Sequence, residues 1–397
     1  MTDPLLRFRE EFPILDTTTY MVSNSLGAMP RAVPALLAEY ASQWATRGVR
    51  AWAQGWWDMP VSVGDEIAPL IGARPREVAM VPNVSIAQAQ ILSALDYPAG
   101  SRDTIVMTAM DFPSVRYVYD ELATRLGARV VVVPSDDGVT IDEERLLSAI
   151  DERTRLVAIS HVLFRSAFVL DAARIIAHAH RMGALVALDA YHSVGVVPVD
   201  VHALQADFLT GGVLKWLCGG PGGCFLWVRP EVSETVAPAL TGWQAHEHPF
   251  AFDAAMAYAD GAARWLTGTP SIPALFAATA GPRLLREAGM DAIRAKSMRQ
   301  TARLIELADA RGFPVTAPRD AARRGGTVAF DVPHAREVAQ ALLARDVIVD
   351  YRPGAGIRVA PHFYTSDDEV ESVVATIDEI LESGSWAKYS DLTTVVT

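Results

Sequence analysis

The sequence predicts an α/β protein: a mostly parallel sheet covered by helices, joined to a smaller α+β domain towards the C-terminus. Three observations carry this. From about residue 77, short apolar, β-branched runs alternate with helix-like stretches. The alternation breaks at GTPSIPALF, residues 268–276, where glycine and two prolines interrupt the chain. At 397 residues the chain is long enough for two closely joined units with sizeable cores.

The expected strands are, in order, EVAMVP, TIVMTAM, RVVVVP, LVAISH, ALVALD, DFLTGG and CFLWV. Continuous apolar runs of this length suit strands covered on both faces, as in a parallel sheet. Between them, IAQAQILSAL, VRYVYDELATRLG and AARIIAHAHRMG carry apolar residues at helical spacing, and the last two end in glycine, a common helix stop. After the break, an Arg- and Ala-rich stretch from about 274 to 311 reads as one long helix. GGTVAFDV, REVAQALLARD, VIVDYR, GIRVAP and DDEVESVVATIDEILE then supply the strands and helices of a small α+β domain.

The charge balance is 47 acidic to 35 basic side chains, net −12, with no long cationic stretch. That argues against nucleic acid or an anionic membrane as partner. The arginines between 283 and 324 are interleaved with Glu287, Asp291, Glu306 and Asp309, which reads as a solvated helix face. Two cysteines, Cys218 and Cys224, are too few for a disulfide scaffold, so a reducing cytoplasm is the expected compartment. No apolar run reaches the roughly 18–20 residues of a spanning helix, and MTDPLLRFREEFPILD lacks a targeting pattern; a soluble protein is expected. His246 and His248 are spaced like a metal pair, but without a second ligand cluster no metal is expected.

In such a sheet, ligand-contacting groups gather beyond the carboxyl ends of the strands. EVAMVP gives way to NVSIAQAQ, so Asn83 and Ser85 can open a helix whose free N–H groups suit a phosphate; from this segment alone an ordinary helix cap is the favoured reading. TIVMTAM runs into DFPSVRY, placing Phe112 where its ring can face a flat ligand. ALVALD ends on Asp189, a carboxylate that needs a cationic partner if buried. Lys215 lies among apolar and glycine residues in GGVLKWLCGGPGG. Desolvation there would lower its pKa and free the amine as a nucleophile, the alternative being a stem that snorkels to water. Phosphate cradle, stacking ring, carboxylate and lysine, in that chain order, are the parts that hold pyridoxal phosphate.

The stretch DAYHSVGVVPVDVHALQADFLTGG followed by LKWLCGGPGGCFLWV resembles the kynureninases, in the class V aminotransferase branch of fold-type-I pyridoxal-phosphate enzymes. YMVSNSLGAMP, DFPS, SHVLFRS, TGWQAHEHPF, GTPSIPALFA and IRVAPHFYTSDDEV extend the resemblance in order over nearly the whole chain. It implies that Lys215 binds the cofactor as a Schiff base and then moves protons at the substrate Cα. It implies that Asp189 pairs with the ring nitrogen, Phe112 stacks on the ring and His192 lies beside it. Asn83, Val84 and Ser85 take the phosphate-loop position, and Trp243 and Thr269 complete the site from a neighbouring subunit of a homodimer. Arg358 matches the arginine that grips an amino-acid carboxylate, and Asn24 and Ser25 match a loop closing over that substrate. The implied organisation is a closing segment at 1–30, a large cofactor-binding domain at 31–267 and a small domain at 268–397.

Three departures stand out. Leu214 occupies the place, directly before the lysine, of a family tyrosine that reaches the phosphate and assists proton transfer. Phe164 stands where a tyrosine is common, and Val115 where an acid is common. Tyr191 is the nearest candidate for a replacement hydroxyl. A catalytic cysteine ahead of Arg358, as in cysteine desulfurases, is absent from RDVIVDYRPGAGIRVAP. The expected activity is hydrolytic Cβ–Cγ or other β-cleavage of an L-amino acid, with transamination or epimerisation as the alternative and a non-catalytic scaffold disfavoured.

Overall fold

The computed structural model describes residues 3–390. Strand β1 (Thr19–Tyr20) belongs to the N-terminal segment. The seven apolar runs are all strands: β2 (Val78–Val81), β3 (Thr104–Thr108), β4 (Arg129–Val133), β5 (Thr154–Ser160), β6 (Leu185–Asp189), β7 (Phe208–Gly212) and β8 (Cys224–Val228). They form one sheet in the order β2-β8-β7-β6-β5-β3-β4, parallel except for β8, which runs antiparallel to both neighbours. β2, β3, β6, β7 and β8 are almost wholly buried, which explains their lack of polar alternation. Helices Val84–Ser93, Pro113–Arg125 and Ala172–Arg181 lie between strands, the last two followed by Gly127 and Gly183 at positive φ.

The C-terminal unit adds β9 (Val328–Phe330), β10 (Val347–Ile348), β11 (Asp350–Arg352) and β12 (Gly356–Val359), with β11-β12-β9 an antiparallel sheet. Helices Ala335–Leu343 and Asp367–Ser383 pack on it, the second opened by a capping box between Ser366 and Glu369. The stretch expected as one helix is three: Ile272–Ala277, Ala280–Ala288 and Met290–Asp309. Gly289, at φ 85°, breaks the last two apart, a backbone state costly for residues with a Cβ. Ile272, Phe276, Leu285 and Ile293 from these helices sit in the same apolar cluster as the large sheet, whereas Leu304, Val338, Ile357 and Val373 form the cluster of the C-terminal unit.

The N-terminal segment is tied to the C-terminal unit. β1 pairs in parallel with β10, Phe12 lies 4.6 Å from Tyr364, and Arg9 donates to Glu369 Oε2 at 2.6 Å. Among the described residues no helix is long and apolar enough to cross a membrane.

Candidate active site

Because β8 runs antiparallel to β2 and β7, the C-terminal ends of β2, β7, β6, β5 and β3 all meet at one edge of the sheet. Register aligns Val81, Cys224 and Gly212 in one row and Ser160, Asp189 and Thr210 in another. The loop from Gly212 to Cys224 therefore leaves and re-enters at that edge, and Lys215 rides on it.

Asp189, the last residue of β6, is 5 % exposed, and its Oδ1 accepts from the Tyr191 backbone N–H at 2.9 Å. Burial pushes its carboxyl up to about 6, against the opposing pull of that hydrogen bond and of Lys215. A carboxylate so poorly compensated suits a cationic partner.

Lys215 is half-buried, with Nζ 2.5 Å from His192 Nε2, 5.4 Å from the Phe112 ring centre and 5.5 Å from that of Tyr191. Loss of water, then the charge of Arg358, brings the amine down to about 7, against the pull of Asp189 and Asp350. Buried His192 is held well below its ordinary value by desolvation first, then by Lys215 and Arg358. In the Nδ1–H tautomer of the neutral imidazole the amine donates into Nε2, and in the Nε2–H tautomer the ring donates to the free amine.

Phe112 precedes helix Pro113–Arg125, and its ring meets Phe164 edge-on at 5.3 Å. Its turn is fixed by buried Asp111, which accepts from Ser160 N–H at 2.7 Å and from Thr108 N–H and hydroxyl at 2.8 and 3.0 Å. Asn83 caps helix Val84–Ser93 by accepting from Ile86 N–H at 3.1 Å. Asn83 is thus an ordinary cap, while Val84 and Ser85 lie in the first turn, where N–H groups lack helical partners.

The N-terminal loop lies directly on the lysine loop. Gly27 N–H donates to the Leu214 carbonyl at 2.7 Å, and a Cβ on Gly27 would collide with the Lys215 carbonyl oxygen. Within this loop Asn24 is 1 % exposed with neither amide atom partnered, and Ser25 is half-buried, its N–H donating to Val22 O. Arg358 on β12 grips Asp350 with two donors, Nε at 2.7 Å and Nη2, and sends Nη1 to the Phe164 carbonyl at 2.5 Å.

Thr269 lines a small pocket with Val81 and Pro82 at the end of β2, and Trp243 and Thr269 share a second one. This second pocket is an apolar hollow of about 710 Å³, lined also by Trp52, Trp57 and Phe250. Trp243 is 42 % exposed and its ring centre is 4.9 Å from that of Trp57. His246 is committed to its own loop: Nδ1 accepts from His248 N–H at 2.9 Å, leaving Nε2 to donate to Ala255 O at 3.2 Å.

Comparison with known proteins places this geometry. The profile described as Aminotransferase class-V matches residues 20–367. The chain belongs to the aminotransferase class-V family. Within that family it is 34% identical over 400 residues to a kynureninase of Pseudomonas fluorescens, covering 97% of this chain and 94% of the relative. A kynureninase of Burkholderia mallei matches at 34% over 396 residues with the same coverage. The fold is also similar to the apo structure of a cysteine desulfurase from Thermococcus onnurineus NA1, with TM-score 0.85, 25% identity, and 96% and 99% of the two chains covered. Likeness to the desulfurase is one of architecture: Cys218 and Cys224 are both buried, and burial raises both thiols.

Class-V enzymes of this kind use pyridoxal phosphate, and the residues here fit it. An amine lowered towards neutrality, a buried carboxylate held by the Tyr191 N–H and a ring beside the amine meet at one edge, and the loop seated on the lysine segment carries the buried, unpartnered Asn24. The Tyr191 ring lies against Gly212, with its centre 5.5 Å from Lys215 Nζ. Asp111, Asp350 and Arg352 were missed by reading motifs; the signal for the last two was their i, i+2 spacing in VDYR, which puts them on one face of a strand.

Proposed function

We propose that this chain is a pyridoxal-phosphate enzyme of the kynureninase type, hydrolysing the Cβ–Cγ bond of a kynurenine-like L-amino acid. The observation that carries it is the Lys215 amine, brought down to about 7 beside His192, Phe112 and the buried carboxylate of Asp189. When bound, the cofactor supplies an electron sink for negative charge left at Cα.

Lys215 is the residue that would bond it and, once released, carry a proton to and from Cα. Asp189 would keep the ring nitrogen protonated, a role its exposure of 5 % makes effective by weakening competition from water. Phe112 and His192 would flank the ring, and Asn83, Val84 and Ser85 would present the helix N-terminus to the phosphate. Arg358 would orient the substrate carboxylate, with Asn24 and Ser25 closing over it from the loop seated by Gly27. Trp243 and Thr269 would come from a second copy, in a cytoplasmic homodimer; the exposure of Phe250 and Phe252, 60 and 76 %, supports a partner on that face. The working division is a closing segment at 1–30, a large domain at 31–267 and a small domain at 268–397, with helices Ile272–Ala277 and Ala280–Ala288 as the seam.

Leu214 and Phe164 favour a second reading. Both put hydrocarbon where the family commonly has a phenol, so a different fate of the Cα proton is the alternative outcome: delivery away from Cα for transamination, or return to the opposite face of Cα for epimerisation. Incubating holoprotein with L-kynurenine and resolving the products by mass and by chiral chromatography separates them: anthranilate plus alanine supports hydrolysis, and a keto acid or racemised substrate supports the alternative. Protein that takes up no pyridoxal phosphate, or whose borohydride-trapped adduct is not on Lys215, would sink both.

A further inference from the structure

Arg358 does not stand free at the edge of the site. Asp350 is wholly buried and lies opposite Arg358 in the β11–β12 register, so the two side chains share a face and form a two-donor ion pair. A guanidinium paired this way with a carboxylate is electrically neutral as a unit. A substrate carboxylate approaching it would meet the Asp350 charge as well as the arginine.

A second guanidinium alters that balance. Arg352 lies two residues from Asp350 on the same strand face, and its Nη2 is 3.3 Å from Asp350 Oδ2, the oxygen that also takes Arg358 Nη2. Its Nη1 donates to the Tyr351 carbonyl at 2.9 Å, which anchors the head group beside the pair. The face is joined to the lysine: Arg358 holds the Phe164 carbonyl, Phe164 packs edge-on against Phe112, and Phe112 lies beside Lys215 Nζ. Two guanidinium groups on one carboxylate leave a single net positive charge, equal and opposite to one substrate carboxylate.

We propose that carboxylate recognition belongs to Arg352, Asp350 and Arg358 as a unit, with Arg352 a positioning residue that supplies the net charge Arg358 lacks alone. Asp350 fixes the fork of Arg358 and costs it its charge; Arg352 restores the charge. The field of this unit reaches the amine, since both arginines depress Lys215 while Asp350 raises it. This inference rests on the reading of Arg358 as the carboxylate grip of a pyridoxal-phosphate enzyme.

The test is the preference of the holoprotein for L-alanine over L-alaninamide, read from the change in cofactor absorbance on titration. The two probes are nearly the same size and differ in the charge at the carboxylate; comparing each variant with the wild type cancels their other differences. Arg352→Gln is expected to cut the acid-to-amide preference by at least about tenfold, the weight of one charge-assisted contact. Arg352→Lys retains most of it. The double variant Asp350→Asn with Arg352→Gln recovers it, because Arg358 alone then carries the net charge; a purely structural role for Arg352 would make the double variant worse. An unchanged preference in Arg352→Gln, no recovery in the double variant, or no preference in the wild type overturns the proposal. Failure of the wild type to bind pyridoxal phosphate overturns the functional reading and this inference together, whereas normal uptake with an unchanged preference overturns this inference alone.

Discussion

Lys215 Nζ and His192 Nε2 stand 2.5 Å apart, and both groups are displaced towards their neutral forms. Desolvation is the main cause for each, and it acts in the direction a nucleophilic amine needs. The Lys215 amine, with its pKa near 7, is largely unprotonated above neutrality, where an ordinary lysine near about 10.4 remains charged. Cofactor-free protein exposed to a small aldehyde and borohydride should therefore label Lys215 first, with the rate rising through about pH 7. Mass mapping of the label against pH checks this, and a midpoint near the ordinary lysine value would refute it.

Asp189→Asn should separate cofactor binding from turnover. The amide keeps the shape and can still accept from Tyr191 N–H, but it cannot hold a cationic ring nitrogen. Losing one buried charge-assisted contact costs about 1.5–3 kcal/mol, which corresponds to a fall in turnover of roughly ten- to a hundredfold. Cofactor content by absorbance alongside turnover is the measurement, and unchanged turnover at full occupancy would remove Asp189 from the chemistry.

The sheet was legible because every strand is a run of apolar residues with turn or helix signals at its ends, and burial on both faces of all but the edge strand β4 leaves no competing period. Asp189 and Lys215 were legible for a related reason: a charged residue inside an apolar run is costly and stands out. Asp350 was not, since its meaning depends on the hairpin register that sets it opposite Arg358, eight positions along the chain. The expected single helix from 274 to 311 failed at Gly289 because residues on both sides have good helical spacing, and only the positive φ of the glycine reveals the break. The hollow lined by Trp52, Trp57, Trp243 and Thr269 joins segments some 200 residues apart, beyond the reach of local pattern.

Gly27→Ala tests the seating of the N-terminal loop. The new methyl group would meet the Lys215 carbonyl oxygen, a backbone atom with nowhere to move except by shifting the lysine loop itself. Overpacking of this kind costs about 1–3 kcal/mol of stability. The expected result is a modest loss in thermal stability with a larger loss of activity, because the displaced elements carry Asn24 and Lys215. Melting curves and turnover measured on the same samples decide it; a variant less stable but fully active would show that the loop does not shape the site.

Leu214→Tyr asks whether the hydrocarbon before the lysine limits β-cleavage. The Leu214 backbone already serves the fold by accepting from Gly27 N–H, and a side-chain exchange leaves that bond in place. The side chain is half-buried, so an aromatic ring has partial access to water and need not be forced wholly into the core. Position 164, where a tyrosine is common in the family, is phenylalanine here. A well-placed proton-transfer group contributes typically 10²–10⁴-fold, so even an imperfectly placed hydroxyl should raise kynurenine hydrolysis by about tenfold. Competing transamination should change less, because Lys215 alone can move the Cα proton. Anthranilate and keto acid formed by the two proteins from the same substrate give both rates. A variant that binds cofactor normally yet hydrolyses kynurenine no faster would mean that Leu214 belongs to a site adapted to another side chain.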